Sequence, residues 1–293
     1  MSGTVLSITR YPVKSARGEA LNAVGVEADG LHADRTWACV DASDGTVVSV
    51  KHPGRWGRLL QVTATVRPDG AVLVTASGEV FEAGSAAADA ALSTHLGRPV
   101  RLTSTVPDSA RLHRLLPDEA GLVPDWLGDA RPGQELVTGI AARPGGRFVD
   151  FGPVHLLTTG ALTRLAGRLG RAEQPASPFR PNLVVDVPAD PGIGDELHIG
   201  DVVLRVLLPT PRCVVPGLNR SGDVADRDLL RTLAGRYRTL LPGYGRAATF
   251  GTYAEVLRAG RIEVGMTVDL RRATLPAAKP AGAAESAEPA RSG

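Results

Sequence analysis

The chain has 293 residues, of which 43% are apolar and 22% charged, which excludes disorder of the whole chain and suggests about two domains. Its 33 basic and 31 acidic residues leave a formal charge of +2, without a long basic run and with only 4% aromatic residues. We therefore expect no nucleic-acid partner. Two cysteines are too few for a disulfide framework or for the thiolates of an iron–sulfur cluster.

Residues 1–105 predict a first strand-rich domain. Asp44-Gly45 and Asp69-Gly70 separate successive apolar runs, which is typical of hairpin turns. A helix is predicted over 85–96, with Ser85 as its N-cap and Gly97 at its end. No secretory signal precedes the first apolar run, and no apolar stretch approaches the ~20 residues of a membrane span. We therefore expect a cytoplasmic protein that has no membrane span. The predicted strands are 5–8, 37–40, 46–50, 59–66 and 71–74.

The rest of the chain predicts a connector, a second domain and a tail. Residues 106–145 are rich in Pro, Gly and Asp and show no sustained period, which indicates a connector. Residues 146–272 again predict strands, together with two amphipathic helices. Residues 273–293 have little apolar bulk and predict a disordered tail. The expected fold class is α+β, predominantly β, with two strand-rich domains and a few amphipathic helices.

Cys213 is the strongest candidate for chemistry. It follows Arg212 directly after the apolar run 202–208, and a guanidinium beside a thiol favours the thiolate, which attacks electrophiles or binds soft metals. The plainer alternative is a small buried hydrophobic residue, as most free cysteines are. Cys39 lies inside a predicted strand and is expected to have that packing role.

Several short motifs follow one another in a fixed order along the two halves of the chain. They are YPVKS at 11–15, GL at 30–31, DRTW at 34–37, FRPNL at 179–183, GDELHIG at 194–200, RC at 212–213, FGTY at 250–253 and VG at 264–265. The first three resemble the N-terminal β-barrel domain of the MOSC family, and the others resemble its MOSC domain. The best-known members are the mitochondrial amidoxime-reducing component and its bacterial counterparts, which bind the molybdenum cofactor and reduce N-hydroxylated compounds.

The resemblance implies a site. Cys213 matches the family's molybdenum ligand and catalytic cysteine, while Lys14, Ser15 and Arg35 match residues that hold the cofactor's phosphate. The remaining residues that it assigns to cofactor binding are Thr158, Thr159, Arg180, Asn182, Arg212 and Tyr253.

Elementary chemistry agrees with the matched residue types. Lys14 and Arg35 offer charge and donors to a phosphate, and Cys213 offers one soft ligand to molybdenum. Thr158 or Thr159 would begin a helix whose free N–H groups favour an anion. Each residue also has a plainer use: Lys14 and Arg35 as solvated charges, and either threonine as an N-cap.

One segment departs from the amidoxime reductases. After the cysteine these have a threonine-rich stretch that ends in Val-Asp-Pro, whereas residues 214–219 here read VVPGLN. The change removes hydroxyl and carboxyl groups from beside the metal ligand, which bears on the choice of substrate and on the reductase activity itself.

The expected function is a molybdenum-cofactor oxidoreductase that reduces N–O bonds of small molecules by two electrons. Because the chain has no iron–sulfur or nucleotide-binding signature, the electrons must come from a separate donor protein of the ferredoxin, flavoprotein or cytochrome type. Two alternatives stay open. One is a sulfur carrier that uses a persulfide on Cys213, and the other is a carrier of the cofactor without catalysis.

Overall fold

The computed structural model describes residues 1–108, 110–140 and 146–273. Its helices are α1 (Pro53–Trp56), α2 (Ala86–Leu96), α3 (Thr159–Leu169) and α4 (Arg227–Arg236), and short 3-10 turns occupy Gly57–Gln61, Ala120–Leu122, Asp125–Leu127, Ser177–Phe179 and Val215–Gly217. The strands are β1 (Ser2–Arg10), β2 (Glu19–Leu21), β3 (Ala23–Glu27), β4 (Gly30–Leu31), β5 (Ala38–Asp41), β6 (Thr63–Val66), β7 (Val72–Ala76), β8 (Glu79–Glu82), β9 (Val100–Thr103), β10 (Arg111–Leu115), β11 (Glu135–Gly139), β12 (Val154–Thr158), β13 (Leu183–Val185), β14 (Glu196–Ile199), β15 (Val202–Pro211), β16 (Arg238–Leu241), β17 (Gly245–Arg258), β18 (Gly260–Glu263) and β19 (Thr267–Arg271).

A closed barrel of seven strands forms the larger core. Its strands follow the order β12-β13-β1-β19-β14-β15-β17, and β17 pairs back to β12. All neighbours are antiparallel except β12 and β13. Closure satisfies the backbone hydrogen bonds that an open sheet edge would leave unpaired. The interior is filled by fully buried aliphatic side chains, among them Val5, Ile8, Leu156, Leu183, Leu204 and Val268.

The first strand of the chain belongs to this barrel. In β1, Val5 pairs with Val185 and Gly3 pairs with Val268, so the N-terminus closes a barrel whose other strands follow residue 153. Strand β3 likewise pairs with β18. Strand pairing therefore crosses the sequence-based ranges 1–105 and 146–272, and the domain bounds stay a prediction.

A second core lies under the smaller sheets β6-β7-β8 and β5-β9. Trp56, Leu59 and Leu92 are almost fully buried there. Helix α2 follows its predicted bounds: the Ser85 hydroxyl accepts a hydrogen bond from the Ala88 N–H at 3.1 Å, and Gly97 ends the helix with φ of 71°. The fold is thus the strand-rich α+β class that the sequence predicts.

Two predicted strands differ from the structure. The apolar run 59–66 begins as a 3-10 turn and becomes a strand only at Thr63, since an apolar run by itself does not distinguish a strand from a buried helical turn. The run 46–50 contributes only an isolated bridge between Val47 and Val40. Its last residues leave the sheet and line a cleft instead.

The predicted connector contains structure of its own. Strands β10 and β11 form a hairpin, from which the Arg111 carbonyl accepts the Val47 N–H at 2.7 Å, while the Leu115 N–H donates to the Lys51 carbonyl at 3.0 Å. Strands of five residues are too short to produce a clear period in a segment rich in Pro and Gly. The predicted tail lies outside the described residues, apart from Ala273.

No helix among the described residues has the length and apolarity needed to cross a bilayer.

A buried polar network joins the N-terminal segment to the barrel. Asp34 and Asn182 are each 1% exposed. The Asp34 carboxylate accepts hydrogen bonds from the Tyr11 N–H at 2.7 Å and from the Asn182 side-chain amide at 3.0 Å. The same amide donates to the Thr9 carbonyl at 3.2 Å, and its oxygen accepts the His155 N–H at 3.0 Å. One side chain therefore connects β1, the loop at Asp34 and the barrel strand β12.

We expect Asn182→Asp to lower the free energy of unfolding by about 3 kcal/mol, because a second carboxylate would face Asp34 and the Thr9 carbonyl without a donor between them. Urea unfolding followed by circular dichroism measures this. The matched control is Asn22→Asp, the same chemical change at an exposed position. It should cost less than about 1 kcal/mol. Equal losses in the two variants would contradict the role of Asn182.

Candidate functional site

A cleft lies between three parts of the chain, and its volume is about 1120 Å³ when its open mouth is included. The three parts are the barrel, the N-terminal segment that contains Lys14 and Arg35, and the segment that the sequence predicts to be a connector. The only carboxylate among its described lining residues is Asp150. Its cationic side chains are Lys14, Arg35, Lys51, Arg114, Arg180 and Arg212. Such a surplus of positive charge favours an anionic ligand.

The backbone is strained at three points of the cleft. Ser15, Arg35 and Arg180 have φ values of 65°, 53° and 55°, in the left-handed region that non-glycine residues rarely adopt. Such conformations persist only where the surrounding structure imposes them. Here the Arg35 N–H donates to the Tyr11 carbonyl at 2.7 Å, and the Arg180 N–H donates to the Ser177 carbonyl at 3.1 Å. The fold holds these residues in unfavourable conformations at the place where they line the cleft.

Two lysines share one carboxylate at the cleft wall. The Lys14 ammonium lies 3.0 Å from an Asp150 oxygen and donates to the Phe148 carbonyl at 3.0 Å, and the Lys51 ammonium lies 2.8 Å from the same Asp150 oxygen. Burial lowers the pKa of Lys14 to about 8 although Asp150 acts against this. Burial alone would raise the pKa of Asp150, but the two ammonium groups hold it well below its usual value. Asp150 therefore stays ionised.

The guanidinium groups of Arg35 and Arg180 both lie over the Tyr11 ring. Their guanidinium carbons are 4.9 and 4.3 Å from its centre. Arg35 pairs with Asp34 and with Asn182 through a single terminal nitrogen, and Asp34 raises the pKa of Arg35 despite its burial. Burial lowers the pKa of Arg180 to about 10, and the nearby charge of Arg35 adds to this. Both groups stay charged at neutral pH, and Arg35 keeps its other nitrogens for a ligand.

Cys213 lies two residues beyond the end of β15 and is half-buried in the cleft wall. The guanidinium of Arg212 beside it is occupied by the protein: it donates to the Phe250 carbonyl at 2.9 Å, to the Phe179 carbonyl at 3.2 Å and to the His155 ring at 2.5 Å. These hydrogen bonds join Arg212, at the start of the loop that contains Cys213, to the barrel. Arg212 therefore holds the loop in place and adds positive charge near the thiol.

The contact with Arg212 also determines the tautomer and the charge of the His155 ring. A guanidinium only donates hydrogen bonds, so His155 Nε2 accepts and the ring proton is on Nδ1, which faces the Arg180 carbonyl at 3.3 Å. Burial, together with the charge of Arg212, lowers the pKa of His155 well below its usual value. His155 is a neutral support for Arg212.

Most of the predicted site residues line the cleft together, namely Lys14, Ser15, Arg35, Arg180, Arg212, Cys213 and Tyr253. Burial raises the pKa of Tyr253 to about 12, so its phenol keeps its proton. Asn182 lies behind this surface and supports Arg35.

Thr158 and Thr159 do not line the cleft. The Thr158 hydroxyl accepts the Ala161 N–H at 3.0 Å as the N-cap of α3 and donates to Asp190 at 2.6 Å. The Thr159 hydroxyl donates to Asp186 at 2.7 Å. Thr158 thus has the plainer N-cap role, Thr159 bonds to Asp186 instead, and neither residue lines the cleft.

Sequence reasoning missed Lys51, Arg114, Asp150 and His155, as well as the aromatic side chains of Trp126 and Phe151. Arg114 and Trp126 fall in the segment taken as a connector. Asp150 and His155 flank the start of an apolar strand, which is a detectable but weak signal. Lys51 follows the run 46–50, and it reaches the cleft because of the three-dimensional path of that run, which the sequence does not show.

The donor set fits a flat anionic cofactor that brings its own metal. No group of three or more His, Cys, Asp or Glu side chains within residues 1–108, 110–140 and 146–273 could hold a bare ion. A metal here therefore needs ligands beyond the Cys213 thiolate, which is how a metal held by a pterin dithiolene would arrive. The Nε atom of Arg114 is buried and has no partner in the described part of the chain, which leaves one more donor at the cleft wall.

Comparison with protein families matches both halves of the chain. The model described as "MOSC N-terminal beta barrel domain" matches residues 2–104, and the model described as "MOSC domain" matches residues 146–269. The chain belongs to the MOSC-domain family. Cys213 and the barrel ends at the cleft thus lie within the MOSC match, and Lys14, Arg35 and Lys51 lie within the N-terminal match.

Curated relatives of this MOSC protein include two amidoxime-reducing components. Mitochondrial amidoxime-reducing component 1 of Homo sapiens is 26% identical over 92% of this chain and 83% of its own length. Mitochondrial amidoxime reducing component 2 of Bos taurus is 26% identical over 90% of this chain and 82% of its own length. A solved YUAD protein from Bacillus subtilis covers 94% of this chain and 98% of its own, at 10% identity and a TM-score of 0.43, which is too loose to support an argument.

We expect iodoacetamide to modify Cys213 but not Cys39 in the folded protein. Cys39 is 0% exposed, and burial raises its pKa to about 12, whereas Cys213 is accessible from the cleft. Peptide mass spectrometry should find Cys39 at least about 100-fold slower. In guanidinium chloride the two rates should converge. Comparable rates in the folded protein would contradict this description of the two thiols.

We expect anion binding in the cleft to weaken as pH rises through the pKa of Lys14, about 8, because the ammonium is then lost. Sulfate is the suitable probe, since its own charge does not change in this range. At constant ionic strength, the Kd of sulfate for cofactor-free protein should rise about fivefold from pH about 7 to about 9. In Lys14→Arg, which stays protonated, the Kd should change less than about twofold. An equal rise in both proteins would exclude Lys14 as the cause.

Proposed function

We propose that this MOSC protein binds the molybdenum cofactor in the cleft and reduces the N–O bond of a small substrate with electrons from a separate protein. The observation that carries the proposal is the position of Cys213: a half-buried thiol in the wall of a cleft with six cationic side chains and one carboxylate. The relatives named as amidoxime-reducing components support the same reaction class.

In this proposal, different residues of the cleft bind different parts of the cofactor. Cys213 provides the thiolate that ligates molybdenum, and Arg212 holds its loop through the Phe250 and Phe179 carbonyls. Lys14, Ser15 and Arg35 bind the terminal phosphate of the cofactor. The hydroxyl of Ser15 accepts a long hydrogen bond from the Val50 N–H at 3.3 Å and can donate its own proton to an anion.

When bound, the cofactor would supply the redox metal for two-electron reduction of the N–O bond, a reaction that consumes two protons and releases water. The chain controls the surroundings of that reaction. Asp150 stays ionised and Tyr253 stays protonated, whereas burial lowers the pKa of Lys14 to about 8. Val215 and Pro216 present apolar surface beside Cys213, which restricts water and polar groups there.

Electrons reach the site from a second protein of the ferredoxin, flavoprotein or cytochrome type. The chain's own two cysteines cannot hold an iron–sulfur cluster, and one of them is buried in a packing role. The names of the relatives place those proteins in mitochondria, whereas the cytoplasmic location expected for this chain stays a prediction.

The competing function is sulfur transfer through a persulfide on Cys213. The apolar Val214–Asn219 segment favours it, because this stretch lacks the hydroxyl and carboxyl groups of the amidoxime reductases. Both functions use the same thiol, so metal content distinguishes them.

We expect wild-type protein from a host that makes the molybdenum cofactor to contain nearly stoichiometric molybdenum, and Cys213→Ser to contain at least about tenfold less, because a hydroxyl is a poor soft ligand. Elemental analysis measures this, with Cys39→Ala as the matched control that should keep its metal. Folded wild type without molybdenum or pterin would reject the proposal, and a persulfide on Cys213 in the mass spectrum would establish the alternative.

A further inference from the structure

One wall of the cleft comes from a segment outside both family matches. The matches cover 2–104 and 146–269, yet several residues between them line the cleft: Arg114, Leu115, Leu116, Leu122, Pro124 and Trp126. These residues extend the cleft beyond the matched segments, and Trp126 packs against Phe151 and Tyr244 of the MOSC match.

Trp126 forms an aromatic cluster with one residue from each of two other segments. Its ring centre lies 5.8 Å from that of Phe151 and 5.7 Å from that of Tyr244, and the Phe151 and Tyr244 centres are also 5.7 Å apart. All three pairs meet edge to face, the geometry that aromatic rings prefer. We call Trp126, Phe151 and Tyr244 the aromatic wall.

The aromatic wall concentrates a scarce residue type at the cleft. The chain has only 12 aromatic residues. Trp126, Phe151, Phe179 and Tyr253 line the cleft, and Tyr244 completes the wall while 44% of its surface stays exposed. Phe179 is also packed in a core and is 2% exposed, whereas Trp126, Phe151 and Tyr253 are only partly buried and leave aromatic surface at the open cleft.

Hydrogen bonds hold the aromatic wall in place without a ligand. The Asp125 carboxylate, next to Trp126, accepts from Arg238 at 2.6 Å and from the Arg246 N–H at 2.7 Å, at the two ends of the β16–β17 turn that carries Tyr244. Arg238 also donates to the Gly121 and Val123 carbonyls at 2.6 and 3.0 Å. A rigid apolar surface loses little entropy when it binds a flat group.

We propose that the aromatic wall selects the substrate by binding a planar aromatic group attached to the N–O function. The inference rests on the proposed function, in which Cys213 lies on the same cleft. Phe151 links the two parts, because its ring centre lies 6.3 Å from that of Tyr253, which in turn lies 5.4 Å from the His155 ring that supports Arg212. Trp126 and Phe151 thus line the same cleft as Cys213.

The test compares two uncharged amidoximes, benzamidoxime and acetamidoxime, by calorimetry on holoprotein without a reductant, so that binding is measured without turnover. In Trp126→Leu the Kd of benzamidoxime should rise about fivefold to tenfold, while that of acetamidoxime changes less than about twofold. Trp126→Phe should recover most of the loss. The matched control is Leu240→Ala, which removes an exposed apolar side chain of the same hairpin outside the cleft and should change neither Kd.

Three results would overturn the inference: unchanged binding of benzamidoxime in Trp126→Leu, equal weakening for both compounds, or no binding of benzamidoxime to wild type. With molybdenum present, any of these rejects the aromatic subsite and leaves the proposed function in place. A metal-free wild type rejects the proposed function instead, and the same two Kd values on that protein then decide whether the wall binds rings at all.

Discussion

The geometry of the cleft depends on the buried contact between Asp34 and Asn182. Because the Asn182 amide also bonds to the Thr9 carbonyl and accepts the His155 N–H, one side chain aligns β1, the Asp34 loop and the barrel. Arg35 follows Asp34 directly and bonds to Asn182, so its guanidinium has only a narrow choice of position. The network therefore ties Arg35 to the barrel at the cleft.

The concentration of positive charge in the cleft destabilises the folded protein, and packing elsewhere in the fold offsets this. Six cations around one carboxylate repel each other, and burial weakens the charged forms of Lys14 and Arg180 further. The left-handed backbone of Ser15, Arg35 and Arg180 adds strain. Closure of the barrel by β1 and its aliphatic interior stabilises the protein enough to keep these groups together. An anionic cofactor would relieve the repulsion on binding.

The cleft takes its residues from different parts of the chain. Cys213, Lys14 and Arg35 lie in the two segments that match the family models. Arg114 and Trp126 lie in the segment between them, and the ion pair of Asp125 with Arg238 joins that segment to the MOSC match. A segment without a clear sequence period thus lines the same cleft as the family motifs, and connecting segments commonly carry function.

Local sequence patterns are enough to predict the strand-rich class, the capped helix α2 and the motifs that contain Lys14, Arg35 and Cys213, because these depend on apolar residues, turns and neighbours along the chain. The three-dimensional fold was needed to show that β1 closes the barrel, that Lys51 and Asp150 meet Lys14, that Thr158 and Thr159 lie outside the cleft, and that Trp126 lines it. These contacts join residues far apart in the chain, and no local pattern encodes which distant side chains will meet.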